Sequence, residues 1–288
     1  GWWFNPASPR LPAAEIPLTT PAVSETPLLS ERRGALGVLT FNRPERRNAL
    51  SPQLLDELCS VLADWADGGE VRAVVITGAG EQAFSAGYDI RAIETVGPAG
   101  QSRAADGPRG TPFERALAAV RDFPYPTIAM INGHCFGGAL HLALCCDLRI
   151  AADHISMGMP PAKLGVVYGA EGLWQFLQVL GSARTRELFF TGRSYRGAEL
   201  RRLGIVEHWV SAGQLAPTAF ALAEEIGRNA PLALRGIKRI LNRLEDPTLD
   251  PELQAEAGRL VAEAFRSADL KEGQAAFLEK RPPRFSGT

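Results

Sequence analysis

Two glycine-bearing segments each follow an apolar run: FSAGYDI (84–90) after 71–78, and NGHCFGGALHLALCCD (132–147) after 126–131. Glycines where a strand hands over to a helix leave backbone N–H groups aimed beyond the junction, and the helix dipole favours negative charge there. One such junction is most simply a tight turn. Two in one core could converge on a single oxygen, the geometry of an oxyanion hole. Side chains able to move protons lie close by in sequence. His141 sits on the apolar helix after Gly137 and Gly138, and Tyr168 lies in LGVVYG, followed by Glu171. Imidazole titrates near neutrality, so His141 is either a proton-transfer group or a satisfied core histidine. Tyr168 is either a proton donor or pocket wall.

The elements that must position these groups read as an α/β core. ALGVLTFNRP (35–44) is a short β-rich run ended by an Asn-Arg-Pro turn. Ser51-Pro52 reads as N-cap and first helical residue. Leu54, Leu55, Leu58, Val61, Leu62 and Trp65 form one apolar stripe, stopped by Gly68-Gly69. Residues 71–80 form a buried strand and turn, so the strand–helix–strand order predicts a parallel crossover. A Gly/Pro/Ala-rich loop is expected over 95–112, a helix over 112–122, strands over 126–134 and 147–152, and a helix from Gly137 through Cys146. Helical patterns dominate from Gln214 onward, over 214–228, 231–244 and 251–268. The domain reading is a Pro-rich, poorly ordered leader (1–27), an α/β core (28–213) and a helical C-terminal subdomain (214–288).

Composition removes several function classes. A formal net charge of −1 gives no general pull toward nucleic acid or anionic membrane. No segment approaches the ~18 consecutive apolar residues of a membrane span. Cys59, Cys135, Cys145 and Cys146 lack C-x-x-C spacing and read as free thiols. The first residues show no basic-then-apolar signal pattern, so a cytoplasmic location is expected. His134 and Cys135 read as packing residues, Asp89 as a turn or capping group, and Asp147 as an anchor at a helix end. The Arg32-Arg33 and Arg201-Arg202 pairs read as solvated faces.

FNRPERRNALS, the A-G-x-D of SAGYDI, NGHCFGGA followed by CDLRIAA, KLGVVYGAEG and the terminal EGQAAFLEKRPPRF together resemble the blocks of the crotonase (enoyl-CoA hydratase/isomerase) superfamily, in its order, over about residues 30–285. The resemblance implies stacked ββα turns forming a spiral, and trimers or paired trimers assembled through the C-terminal helices. It implies an acyl-CoA substrate that carries its own coenzyme A, with no separate cofactor, no nucleic acid and no membrane. The hole donors become the backbone amides of Tyr88 and Gly138, each worth on the order of 3 kcal/mol in the transition state. Arg46, Arg47 and Ala49 are expected near coenzyme A, and the backbone of Ser85, Ala86, Gly87, Asp89 and Ile90 around its pantetheine and adenine. Phe277 and Lys280 complete the coenzyme site, in this subunit or a neighbour, and loop 91–112 covers the acyl end.

The chain departs from the hydratases of that superfamily at the two glutamates that handle water: His141 and Pro161 stand at those positions, and Glu171 lies off the motif. Adding water across a conjugated double bond needs both a base and an acid. Loss of CO2 from a malonyl-type thioester generates the same enolate without activating water. A substrate carboxylate facing a glutamate would meet repulsion of about 4 kcal/mol at ~4 Å and an effective dielectric of ~20, which neutral groups remove. Tyr168 matches the tyrosine of LGVPY-like segments in crotonase-type methylmalonyl-CoA decarboxylases. Those enzymes carry His where Tyr88 stands and an acid where His141 stands. Decarboxylation, with Tyr88, Gly138, His141 and Tyr168 as catalytic groups, is therefore the first expectation. The alternatives are a hydratase or isomerase using His141 with Glu171, a non-catalytic or RNA-binding protein of the same fold, and an enzyme for a non-CoA thioester or 1,3-diketone. RNA binding needs a basic stripe that the composition does not favour.

Overall fold

The computed structural model describes residues 26–89, 110–245 and, between 255 and 284, all but 256, 257, 260, 261, 264 and 282; the Phe277 side chain is outside this description. Residues 1–25 of the expected leader, Ile90, almost all of the expected loop over the acyl end, and much of the 251–268 pattern lie outside the described residues.

The chain alternates between two sheets. β1 (Leu28–Arg33), β2 (Leu36–Phe41), β3 (Ala73–Gly78), β5 (Thr127–Ile131), β7 (Leu148–Ala152) and β10 (His208–Val210) form the larger one, in the order β1-β2-β3-β5-β7-β10. β4 (Ala83–Ser85), β6 (His134–Phe136), β8 (Ser156–Gly158) and β9 (Ser194–Arg196) form the smaller, in the order β4-β6-β8-β9. Thus β3 leads into β4, β5 into β6 and β7 into β8, each pair leaving one strand in each sheet. That is a ββ spiral whose successive turns stack in parallel. The inner strands read as unbroken apolar runs because both faces are covered: all six residues of β3 and all five of β5 are buried.

Local chemistry explains the first helix. α1 (Pro52–Gly68) starts where the Leu54 amide donates to Ser51 Oγ at 3.3 Å, with Pro at the first helical position. It stops at Gly69, whose φ of 65° is left-handed. Leu54, Leu55, Leu58 and Leu62 are buried, while Val61 and Trp65 are only half-buried at the edge of the stripe. α2 (Pro112–Asp122) carries a capping box, with the Thr111 amide donating to Glu114 at 2.8 Å and the Glu114 amide donating back to Thr111 Oγ1 at 3.3 Å.

α3 (Gly138–Cys145), α4 (Ala170–Thr191), α5 (Gly197–Leu203), α6 (Ala212–Gly227), α7 (Pro231–Glu245) and α8 (Ala268–Glu279) complete the described helices. α6 lays Leu215, Ala219 and Ala223 into the same core as the large sheet. Lys238 of α7 is buried and donates to Tyr125 O at 3.0 Å and Asp147 Oδ2 at 2.7 Å. Asp147 also accepts from the Thr127 amide and hydroxyl at 2.6 and 2.9 Å, the anchoring role its position suggested.

Three segments carry features that the sequence left open. The core expected to begin at residue 28 opens with β1, an edge strand whose last four residues, Glu31 and Arg32 among them, are exposed, so apolar alternation is absent. The β-run expected over 35–44 is strand β2 as far as Phe41, and the expected Asn-Arg-Pro turn follows it, with Pro44 opening a one-turn 3-10 helix (Pro44–Arg46). The terminal block, inside the expected helical subdomain (214–288) but past its last pattern at 251–268, folds as α8; it packs on a second 3-10 turn (Pro161–Leu164) so closely that a Cβ on Gly273 would meet Leu164 Cα at 2.9 Å.

Candidate active site

The two glycine-bearing segments meet. A Cβ built on Gly138 would lie 3.2 Å from the Tyr88 amide nitrogen and 3.0–3.1 Å from the Phe113 ring; one on Gly87 would lie 3.2 Å from the Gly138 nitrogen. Gly87 also has φ +101°, a conformation L side chains rarely adopt. Bare backbone is required at both positions for the two amides to share one space. Gly138 is the first residue of α3, so its N–H has no intrahelical acceptor. The first junction differs from the expected strand-to-helix handover within the described residues. After β4 the chain runs beside Leu50, in a parallel bridge at Tyr88, with the Leu50 amide donating to Gly87 O at 2.8 Å and the Asp89 amide to Leu50 O at 3.0 Å.

That ladder brings residues 46–50 against 86–89. The Ala86 amide donates to Arg47 O at 2.9 Å, and Arg43 spans the gap, donating to Ala49 O at 2.7 Å and contacting Asp89 Oδ2 at 3.3 Å. Arg46 and Arg47 are exposed, Ala49 half-buried, Ser85 and Gly87 buried, and Ala86 exposed. Ser85 Oγ accepts from the Gly87 amide at 3.1 Å. Arg46, Arg47, Ala49, Ser85, Ala86, Gly87 and Asp89 therefore form one neighbourhood beside the hole. Lys280 is exposed just past the end of α8, at φ 56°, and among the described residues no hydrogen bond or ion pair joins it to this neighbourhood. Two groups went unnoticed in the sequence. Buried Asn48, at φ 55°, donates to Ala79 O at 3.0 Å and Ala83 O at 2.7 Å and accepts from the Arg43 amide at 3.0 Å. Arg43 is the other.

About one turn along α3 from Gly138, His141 Nδ1 lies 2.8 Å from Tyr168 Oη. The pair stands in an aromatic box. The His141 ring is 5.9 Å from Phe113, 5.4 Å from Tyr168 and 5.7 Å from Phe176, and Tyr168 is 5.4 Å from Phe189. Burial, with a smaller contribution from the Arg121 charge, pushes the His141 imidazole down to about 3, so it is neutral at physiological pH. Burial also pushes the Tyr168 phenol above its ordinary range, so it remains protonated. The pair is uncharged and hydrogen-bonded. Gly172 keeps it so: a Cβ there would meet Tyr168 Cε1 at 2.5 Å and His141 Cε1 at 3.1 Å. Gly172, Phe113, Phe176 and Phe189 carried no sequence signal beyond apolarity, since their meeting depends on packing between α2, α3 and α4.

The carboxylates are elsewhere. Glu171 is exposed in the first turn of α4, while its neighbour Gly172 faces the pair. Pro161 is buried in its 3-10 turn, and Glu114 is held in the α2 capping box. Cys135, Cys145 and Cys146 are buried thiols pushed upward by burial, Cys145 and Cys146 to about 12. Cys59 is half-buried. His134 departs from expectation: it is exposed on β6, not packed. Among the described residues no group of three metal-ligating side chains gathers, and no helix is long and apolar enough to cross a membrane.

A sequence profile described as enoyl-CoA hydratase/isomerase matches residues 31–288. The short-chain-enoyl-CoA hydratase of Clostridium acetobutylicum is 33% identical over 254 residues, covering 88% of this chain and 95% of its own. The mitochondrial enoyl-CoA hydratase domain-containing protein 2 of Mus musculus is 35% identical over 293 residues, 99% of this chain and 95% of its own. Among solved structures, a methylmalonyl-CoA decarboxylase complexed with 2S-carboxypropyl-CoA superposes with a TM-score of 0.82 at 30% identity, over 92% of this chain and 100% of that one. The spiral, the motif blocks and these likenesses agree: the chain belongs to the enoyl-CoA hydratase/isomerase family, the crotonase superfamily of acyl-CoA enzymes.

Proposed function

We propose that the protein decarboxylates a malonyl-type acyl-CoA. The reading rests on one observation: a His141–Tyr168 pair, 2.8 Å apart, stands in an aromatic box at a position where the hydratases of the superfamily place a water-handling glutamate. In the proposed reaction the bond from the α-carbon to the carboxylate breaks and its electrons enter the thioester carbonyl. The resulting enolate oxygen is held by the amides of Tyr88 and Gly138, and CO2 leaves. The Tyr168 phenol then protonates the α-carbon and recovers its proton from solvent. With its own proton on Nδ1, His141 donates to the phenol oxygen and leaves the Tyr168 O–H to face the acyl group. A carboxylate placed against phenyl rings and neutral donors is poorly solvated, and its loss as CO2 relieves that. No separate cofactor enters this scheme. A trimer or pair of trimers belongs to the proposal, supported by the exposed Leu232, Ile237, Ile240 and Leu241 of α7.

The names of the curated relatives favour a second reading, an enoyl-CoA hydratase. An imidazole pushed down to about 3 is a weak base for water, and Glu171 faces solvent. Incubation with methylmalonyl-CoA, malonyl-CoA and crotonyl-CoA separates the two. CO2 release with intact crotonyl-CoA is expected; hydration of crotonyl-CoA with no CO2 from either diacid thioester would overturn the decarboxylase.

A further inference from the structure

β6, β8 and β9 set a row of side chains across the small sheet. Cys135 pairs with Met157, so His134 neighbours Ser156, and Ser156 pairs with Arg196. The Ser156 amide donates to His134 Nδ1 at 3.1 Å, and Ser156 Oγ lies 2.9 Å from the same nitrogen. Because Nδ1 accepts from a backbone amide, the ring proton sits on Nε2, the nitrogen not engaged with Ser156. His134, His154, Arg47 and Arg196 are all exposed, and the latter three form no ion pair among the described residues. Burial lowers the His134 pKa, and the charges that add to this, from Arg196, His154 and Arg47, are all positive. An N–H donor held by its neighbours, with two guanidinium groups and a second imidazole around it, is suited to a bound anion.

The position of the row says which anion. His134 lies four residues before Gly138, at most about 14 Å along the chain from the hole amide. Arg47 flanks the same neighbourhood, since its carbonyl accepts from Ala86 at the exit of β4, the strand beside β6. A thioester seated in the hole with its acyl group toward His141 would carry its coenzyme arm toward this face.

We infer that His134 and Arg196, bordered by Arg47 and His154, form a phosphate site for the nucleotide end of the acyl-CoA. The inference rests on the reading of Tyr88 and Gly138 as the thioester hole. Its chemistry is a phosphate ester held by one imidazole N–H and by guanidinium groups, the strongest ordinary partners of such an anion.

Titration calorimetry of the full chain with coenzyme A, adenosine 3′,5′-bisphosphate, pantetheine and inorganic phosphate tests it. Arg196→Ala, at an exposed position, is expected to weaken coenzyme A and the bisphosphate about tenfold, the effect of one charge-assisted hydrogen bond, and to leave pantetheine within twofold. His134→Ala should act in the same direction, and Arg196→Lys should recover part of the loss. Coenzyme A binding unchanged in both alanine variants would overturn the site, as would equal weakening of pantetheine and coenzyme A. Inorganic phosphate binding that depends on Arg196 while coenzyme A binding does not would assign the row to a phosphate from another source and overturn the coenzyme assignment. Wild-type protein that binds coenzyme A through Arg196 yet releases no CO2 from diacid thioesters would sink the decarboxylase and leave this site standing.

Discussion

His134 and His141 lie seven residues apart on one β6–α3 segment, and the fold gives them opposite surroundings. His141 points into rings of Phe113, Tyr168 and Phe176 and bonds a phenol. His134 faces outward beside Ser156, with Arg47, His154 and Arg196 around it. Burial is the first cause of a lowered pKa at both, and at His141 it pushes the imidazole down to about 3. The same imidazole is a neutral hydrogen-bond partner in one place and an outward donor among cations in the other. Gly137 and Gly138 lie between them, so in the proposed reading one short segment addresses both the reacting end and the charged end of a long substrate.

The strongest way to break that division is Gly138→Ala. The added methyl would crowd Phe113 and the Tyr88 amide, and turnover of the diacid thioester should fall at least 100-fold, about 3 kcal/mol of transition-state stabilisation. Affinity for adenosine 3′,5′-bisphosphate should stay within twofold if the outer site is independent. Tyr168→Phe comes next: kcat should drop on the order of 100-fold with KM little changed, because the phenol acts only when the α-carbon takes a proton. Equal losses in kcat and affinity would recast Tyr168 as pocket wall.

A third test reads stability. His141 is held neutral down to about pH 3, whereas an unfolded chain takes up a proton near 6.5. The unfolded state therefore binds more protons between those values, and folding stability falls as pH is lowered through that window. From pH 6.5 to 5 the wild type should lose about 2 kcal/mol more than His141→Gln in urea unfolding. Parallel losses in the two proteins would show that the ring is reached by water. The smallest effect is expected at Glu171→Gln, with stability within about 0.5 kcal/mol and turnover within twofold, since its carboxylate is exposed. A large loss of crotonyl-CoA hydration in that variant would revive the hydratase.

Much of this architecture was legible where local chemistry decides it. Ser51-Pro52 and Gly69 bound α1, and the unbroken apolar runs of β3 and β5 announce strands covered on both faces. The motif glycines were legible too, because a backbone that must approach another backbone tolerates no Cβ at Gly87 or Gly138. Illegible were features fixed by distant partners. β6 has three residues, too few for alternation to tell that His134 faces out and Cys135 in. Glu31 and Arg32 hid an edge strand, since an edge need not be apolar on either side. The His141–Tyr168 bond and the Gly172 gap arise only when α3 and α4 pack, so periodicity within either helix could not reveal them.

The alternation between sheets has a metric consequence. β4 and β6 are adjacent parallel strands of successive spiral turns, and the amides of Tyr88 and Gly138 lie three and two residues past their ends. Neighbouring strands stand about 4.8 Å apart, so two N–H groups so spaced can each reach one oxygen at about 2.9 Å, subtending about 110° at it. With that spacing carried past the strand ends, the bite of the proposed hole would be the pitch of the spiral. It is held by the backbone lattice itself, and side-chain substitution can fill that opening but cannot easily widen it.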